Sequence, residues 1–218
     1  MKQDLPEALR IETRGLHVQA ERSTFMGLLL RGQMQRTAYC ALLRNLHAIY
    51  AALEPALQRH AADPLIAPLV LPGLWREPGL HLDLDLLHGN GRRGGSDWRI
   101  ALPLQPATLR YVARLDVLDR TQPALLAAHS YVRYLGDLSG GQMLSRIVRE
   151  SLQLGTAGGT SFYEFGDAAA TADLKRAYRA GLAALPVDDA TQSALVAEAR
   201  FAFELHGQLF DQLAGAVA

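Results

Sequence analysis

Tyr39, Leu42, Leu43, Leu46, Ile49, Tyr50, Leu53 and Leu57 recur at the spacing of one helical face over about 36–60. The same period returns along most of the chain, while no stretch alternates apolar and polar residues as a half-buried strand does. Punctuation marks the ends of the helices. Asp4 before Leu5 and Pro6 reads as an N-cap with proline in the first turn, opening a helix to about Glu21. Ser23 or Thr24 restarts a short helix through Leu30, which Gly32 ends. Residues 63–105 are rich in proline and glycine and read as irregular, with Gly89–Gly95 a mobile loop. That loop has neither a strand before it nor a Gly-Lys-Ser/Thr ending, so it is not read as a phosphate loop. Helices resume over about 106–119 and from Thr121 and Pro123 to about Leu152. A loop at Gly155–Gly159 and an extended or irregular piece at Phe162–Phe165 follow. Asp167 caps a helix through Leu185, Pro186 breaks the chain, and Asp188 or Asp189 begins a last helix to about Leu213. The expectation is an all-α fold of roughly seven to nine helices in one domain, 1–218.

Composition excludes several classes of function. Lys+Arg and Asp+Glu both number 22, and a net charge of zero argues against a broad nucleic-acid surface. No run reaches the roughly 18 apolar residues of a membrane span, and the N-terminus carries no apolar signal segment. A soluble, cytoplasmic protein without a membrane anchor is expected. The single cysteine, Cys40, lies in an apolar helical run and reads as a buried, inert thiol.

One stretch departs from good helix design. His129-Ser-Tyr-Val-Arg-Tyr-Leu-Gly-Asp-Leu-Ser-Gly-Gly-Gln-Met143 places Gly136, Gly140 and Gly141 where the apolar pattern requires the helix to continue. Each interior glycine costs roughly 1 kcal/mol against alanine. Gly136 and Gly140, four residues apart, share a face and open a flat backbone strip for a planar body, with Asp137 beside it. A plainer account has a neighbouring helix crossing closely there, with Asp137 paired to Arg133 one turn earlier. Both readings stand at this point.

The first helix carries Arg10, Arg14, His17 and Glu21 on one side. A lone helical histidine is usually a surface or core residue; two arginines before it and a carboxylate one turn after it favour a ligand role. Glu21 is placed to hold the second ring nitrogen of a metal-bound imidazole. Arg10 lies about 10 Å from His17 along the helix, a reach suited to anions at the edge of a large ligand. Lys175 and Arg179 form a second cationic pair one turn apart, which repels mildly unless an anion sits between them. His47 and His60 have no ligand pattern around them, and no Glu-x-x-His set supports a protein-only metal site. A flat, dianionic metal macrocycle answers all these features, and haem is the obvious one.

Ala128-His-Ser-Tyr-Val-Arg-Tyr-Leu-Gly-Asp-Leu-Ser-Gly-Gly141 resembles the signature of the haem oxygenases. Leu16-His-Val-Gln-Ala-Glu21 is similar to that family's proximal-ligand segment, and Lys175-Arg-Ala-Tyr-Arg179 to its propionate-contacting segment. The resemblance extends over almost the whole chain. It implies a helical bundle holding haem b, both substrate and cofactor, between a proximal helix and a glycine-kinked distal helix. The implied reaction opens haem with O2 and reducing equivalents to biliverdin, CO and ferrous iron. Carried onto this chain, His17 is the iron ligand, with Glu21 as its partner. Gly136 and Gly140 lie close to the reacting oxygen, and Asp137 holds an ordered water network backed by Arg133 and Tyr50. Tyr131, Arg10, Arg14, Lys175 and Arg179 address the propionates, and Phe203 and Phe210 are aromatic contacts near the haem.

The chemistry suits those residue types. Attack on the porphyrin's own meso carbon needs space beside the iron, and a carboxylate acting through water delivers a proton without touching the oxygen. The first helix carries arginines where lysine is common in the family, which keeps charge but alters geometry and bears on which meso carbon is cut. The chain ends at Ala218 without the hydrophobic tail of membrane-anchored members, so a soluble bacterial type is expected, with a ferredoxin, a flavodoxin or a reductase as electron donor. Two rivals remain. A non-catalytic haem carrier or sensor needs His17 and the cations but not the glycines together with Asp137, and a haem-free enzyme on the same fold needs a carboxylate cluster the sequence lacks. His129 is the competing axial ligand.

Overall fold

Side chains expected to start helices do so. Asp4 Oδ1 accepts from Glu7 N at 2.9 Å, Ser23 Oγ from Met26 N at 3.3 Å, and Asp167 Oδ1 from Ala170 N at 2.8 Å. Gly32, at φ +64°, takes the left-handed conformation that ends the second helix. In a computed structural model describing residues 4–89, 96–156 and 158–217, the helices are α1 (Leu5–Glu21), α2 (Thr24–Leu30), α3 (Arg36–Arg59), α4 (Glu77–Leu87), α5 (Trp98–Ala101), α6 (Pro106–Thr121), α7 (Leu126–Ser151), α8 (Ala168–Ala183) and α9 (Asp189–Val217). Short 3-10 turns lie at Ala67–Leu69, Pro72–Leu74, Pro123–Leu125 and Ser161–Tyr163. No strand forms among the described residues, so the fold is all-α as expected. None of the described helices is long and apolar enough to cross a membrane.

The described residues of 63–105 are more ordered than the composition suggests. They hold α4 and α5, because Pro78 sits in the first turn of α4, where its missing N–H would have no intrahelical partner anyway. Gly79 next to it lets the turn at Ser161–Tyr163 approach closely; a Cβ there would stand 2.8 Å from Ser161 O. The mobile loop expected at Gly89–Gly95 lies, beyond Gly89, outside the described residues. Phe162–Phe165, expected as extended or irregular, begins inside a 3-10 turn.

α3 runs through the middle, packed by α4 and α6, while α9 lies against α1, α6 and α7. Its apolar face is fully buried at Tyr39, Leu43, Ile49, Tyr50, Leu53 and Leu57. Each such side chain stabilises the fold by roughly 1.5–3 kcal/mol. Cys40 is buried on the same helix, and burial pushes its thiol up to about 11, so it is inert.

His129 is fully buried and belongs to the scaffold. Its Nε2 lies 2.9 Å from Glu198 Oε1, and Arg114 donates to both Glu198 oxygens at 3.0 and 2.6 Å. Burial alone would raise the Glu198 carboxyl, but the hydrogen bonds from Arg114 and His129 outweigh it and hold the group at about 2. A depressed folded-state value gives stability that is complete above the ordinary value of 4.5 and drains away as pH falls toward 2. The contribution at neutral pH is of order 3 kcal/mol. Urea midpoints measured from pH 5 to pH 2 are expected to fall more steeply in the parent chain than in Glu198→Gln; parallel curves would show the pair to be unimportant.

Candidate active site

α1, α2, α3, α7 and α9 enclose a cleft of two adjoining lobes, about 310 and 520 Å³, whose shared wall includes His17, Val132, Gly136, Ser139 and Phe203. This is the size range of small-molecule and cofactor sites. The lining is largely apolar, with Met26, Leu29 and Leu42 on one side, so the few polar groups that reach it stand out.

On the α1 side His17 is half exposed, and Glu21 Oε2 lies 3.6 Å from its Nδ1. Phe203 of α9 meets the imidazole edge-on at 6.0 Å between ring centres, which restrains its rotation. Opposite, α7 runs unbroken through its three glycines. They divide between the two accounts of the motif. A Cβ on Gly136 would meet nothing within 4 Å, and one on Gly140 only Leu144 Cδ1 at 3.8 Å, so both face open cleft. A Cβ on Gly141 would touch the Tyr163 ring and carbonyl at 3.6 Å, so this glycine serves close packing. The structure thus has a cradle of bare helix backbone that a flat ligand fits.

Asp137 lies just behind that backbone, nearly buried. Tyr50, from α3, donates its hydroxyl to Asp137 Oδ2, and Arg133 Nη2 lies 3.4 Å from Oδ1. Arg133 Nε also donates to the Tyr50 hydroxyl at 3.2 Å. Burial raises the Asp137 carboxyl above its usual range, against the pull of Arg133, Tyr50 and Arg76. It therefore takes up a proton more readily than an exposed aspartate does. Tyr50 does not line the cleft; it acts on it through Asp137.

His206 had no place in the sequence reading. It is buried on α9 and lines the cleft, with Arg133 Nη1 3.2 Å from its Nδ1 and Phe210 packed edge-on at 4.3 Å. Burial, then the Arg133 charge, drives its pKa well down, so it is neutral and accepts from the guanidinium. Its spacing of three from Phe203 and four from Phe210 marked it as sharing their face.

The cations fall into two groups. Arg10, Arg14 and Tyr131 line the larger lobe, where Tyr131 Oη sits 3.5 Å from Thr13 Oγ1. Arg10 is also engaged by Glu7, with bonds of 3.0 and 2.7 Å. Lys175 and Arg179 on α8 line neither lobe. Burial and the neighbouring Arg179 charge both lower Lys175, so the pair repels as its spacing implied. His129, buried in the scaffold, lines neither lobe.

Comparison with known proteins agrees with this geometry. The family described as Heme oxygenase matches residues 3–212. Human haem oxygenase 1 is 39% identical over 215 residues, covering 98% of this chain and 73% of that protein. Haem oxygenase 1 of Nostoc sp. is 36% identical, covering 99% and 88%. The crystal structure of haem oxygenase-1 from the cyanobacterium Synechocystis sp. in complex with haem superposes with a TM-score of 0.88 at 35% identity, covering 98% of this chain and 94% of that one. With an all-α fold shared end to end and a cleft floored by the glycines of the α7 motif, the chain belongs to the haem oxygenase family.

Proposed function

We propose that this chain opens haem at a meso carbon, using O2 and reducing equivalents, to biliverdin, CO and ferrous iron. The observation that carries this reading is the bare backbone of Gly136 and Gly140 facing the cleft across from His17, with Asp137 held directly behind. Haem supplies the redox-active iron and the carbon that is oxidised. The protein's residues then have distinct tasks. His17 would hold the iron, with Glu21 3.6 Å from its Nδ1 to steady the ring. Arg10, Arg14 and Tyr131 would receive propionates at the larger lobe, and Lys175 and Arg179, which line neither lobe, would add positive charge from α8, packed against α1. Phe203 and Phe210 cover the macrocycle edge.

Asp137 holds a water through which the proton reaches oxygen, while Tyr50 and Arg133 fix the carboxylate in place. Work in the cytoplasm with a ferredoxin, a flavodoxin or a reductase as electron donor completes the reading. The test is a haem titration of the full chain followed by reductant and O2. A one-to-one Soret complex that converts to biliverdin is expected; a stable complex that never bleaches would overturn the assignment.

Gly136→Ala separates fold from function. In mid-helix with nothing near its Cβ, alanine is expected to stabilise the fold by roughly 0.5–1 kcal/mol. The same methyl stands in the space the reaction needs, so biliverdin formation falls while the melting temperature rises. A variant that gained stability with undiminished turnover would show the bare backbone to be dispensable.

A further inference from the structure

The missed helix α4 creates a second cluster of ligating groups away from the cleft. We infer that His47, Glu77 and His81 form a binding site for a divalent first-row transition metal. Glu77 and His81 stand one turn apart on α4, and His47 reaches them from α3. One ligand atom from each lies within 4.8 Å of the others. Glu77 Oε1 is 2.8 Å from His47 Nε2 and 3.7 Å from His81 Nδ1. Ligands of a tetrahedral ion at about 2.0–2.2 Å lie about 3.3–3.6 Å from one another, so small side-chain shifts admit the ion. Two imidazoles and a carboxylate are the donor set of three-ligand zinc sites and of other open first-row metal sites.

The surroundings are built as metal sites are. His81 Nε2, the nitrogen left over, lies 3.7 Å from Asp85 Oδ2, one further turn along α4. Asp85 Oδ1 accepts from Trp98 Nε1 at 2.7 Å, so the carboxylate behind the histidine is itself anchored. The buried Trp98 ring meets both imidazoles edge-on, at 4.9 Å for His47 and 5.8 Å for His81, and holds them together. His81 and Glu77 are partly exposed, which gives an ion a way in.

Two cations oppose the site. Arg99 Nη2 lies 3.1 Å from His81 Nε2, and Arg44 lies over Trp98 at 5.3 Å. Ligation through Nδ1 puts the proton of His81 on Nε2, which then faces Asp85 rather than Arg99. Arg99 also holds Asp97 and the Trp98 face, at 3.3 and 4.0 Å, and keeps both partners when it gives up His81. The opposition is thus a gate on affinity, and its removal gives a test with a sign.

Zinc chloride titrated calorimetrically into the untagged, haem-free full chain is expected to bind at one site. Binding should vanish in Glu77→Gln and His81→Ala and persist in His17→Ala, which keeps this site distinct from the cleft. Asp85→Asn should weaken it by roughly 10–100-fold, and Arg99→Ala should tighten it. Circular dichroism melts identify variants that fail to fold, and cobalt(II) d–d absorbance gives a second readout on the parent chain. Zinc binding unchanged in Glu77→Gln and His81→Ala, or weaker than about 0.1 mM in the parent chain, would overturn the inference.

Discussion

Asp137→Ala is expected to bind haem one-to-one and yet make biliverdin roughly 10²–10⁴-fold more slowly, the usual weight of a positioned proton donor. The carboxylate does not hold the macrocycle; it holds the water through which the oxygen receives its proton. Asp137 is also the buried anion beside Arg133, whose pKa is driven up by the Tyr50 hydroxyl and Asp137 despite burial. Removing it leaves that charge with Tyr50 and His206, a change that costs roughly 3–5 kcal/mol where a buried pair is broken outright. A melting curve must therefore accompany the assay. Asp137→Asn is the companion variant, because its carbonyl still accepts from Tyr50 while it has no proton to give. Loss of turnover in both, with the haem spectrum kept, supports the assignment. Full biliverdin yield from a folded Asp137→Ala chain would sink it.

The second large effect is a double dissociation between two histidines. His17→Ala is expected to lose the iron ligand and with it the native haem spectrum, at little expense to the fold, since the side chain is half exposed, 3.6 Å from Glu21 and edge-on to Phe203. Added imidazole should restore the spectrum in part. His129→Ala should behave in the opposite way. It removes one partner of the buried Glu198 while Arg114 stays on both carboxylate oxygens, lowering stability by roughly 1.5–3 kcal/mol, and folded molecules still bind haem normally. Haem absorbance and urea midpoints on the two variants decide the matter, and loss of the native spectrum in His129→Ala alone would reverse the assignment.

Local chemistry made most of the fold legible. Asp4, Ser23 and Asp167 cap as their residue types require, and the apolar face of α3 is buried as its spacing predicted. Composition misleads over 63–105 because Pro78, a breaker inside a helix, sits in a first turn, where it suits a helix start. That error spread. With α4 missed, Glu77, His81 and Asp85 had no common face, and His47 had no partner. The cleft was legible where one helix carries several clues, as with His17 and Glu21, or Gly136 with Asp137. It was not legible where a single polar residue sits in an apolar face. His206 looks like one more core position until α7 brings Arg133 against it. The glycine motif needed both of its explanations, since Gly141 packs and its two neighbours do not.

The packing of α1 against α9 has a consequence for how the protein is born. His17 is made well before Phe203, His206 and Phe210, which finish its side of the cleft. Contacts so distant in sequence are late and slow to form, and a partly made chain has only one wall of the pocket. A nascent chain lacking α9 would expose the histidine and the apolar lining without enclosing a ligand. Enclosure of a ligand by this cleft therefore waits for α9 to be made.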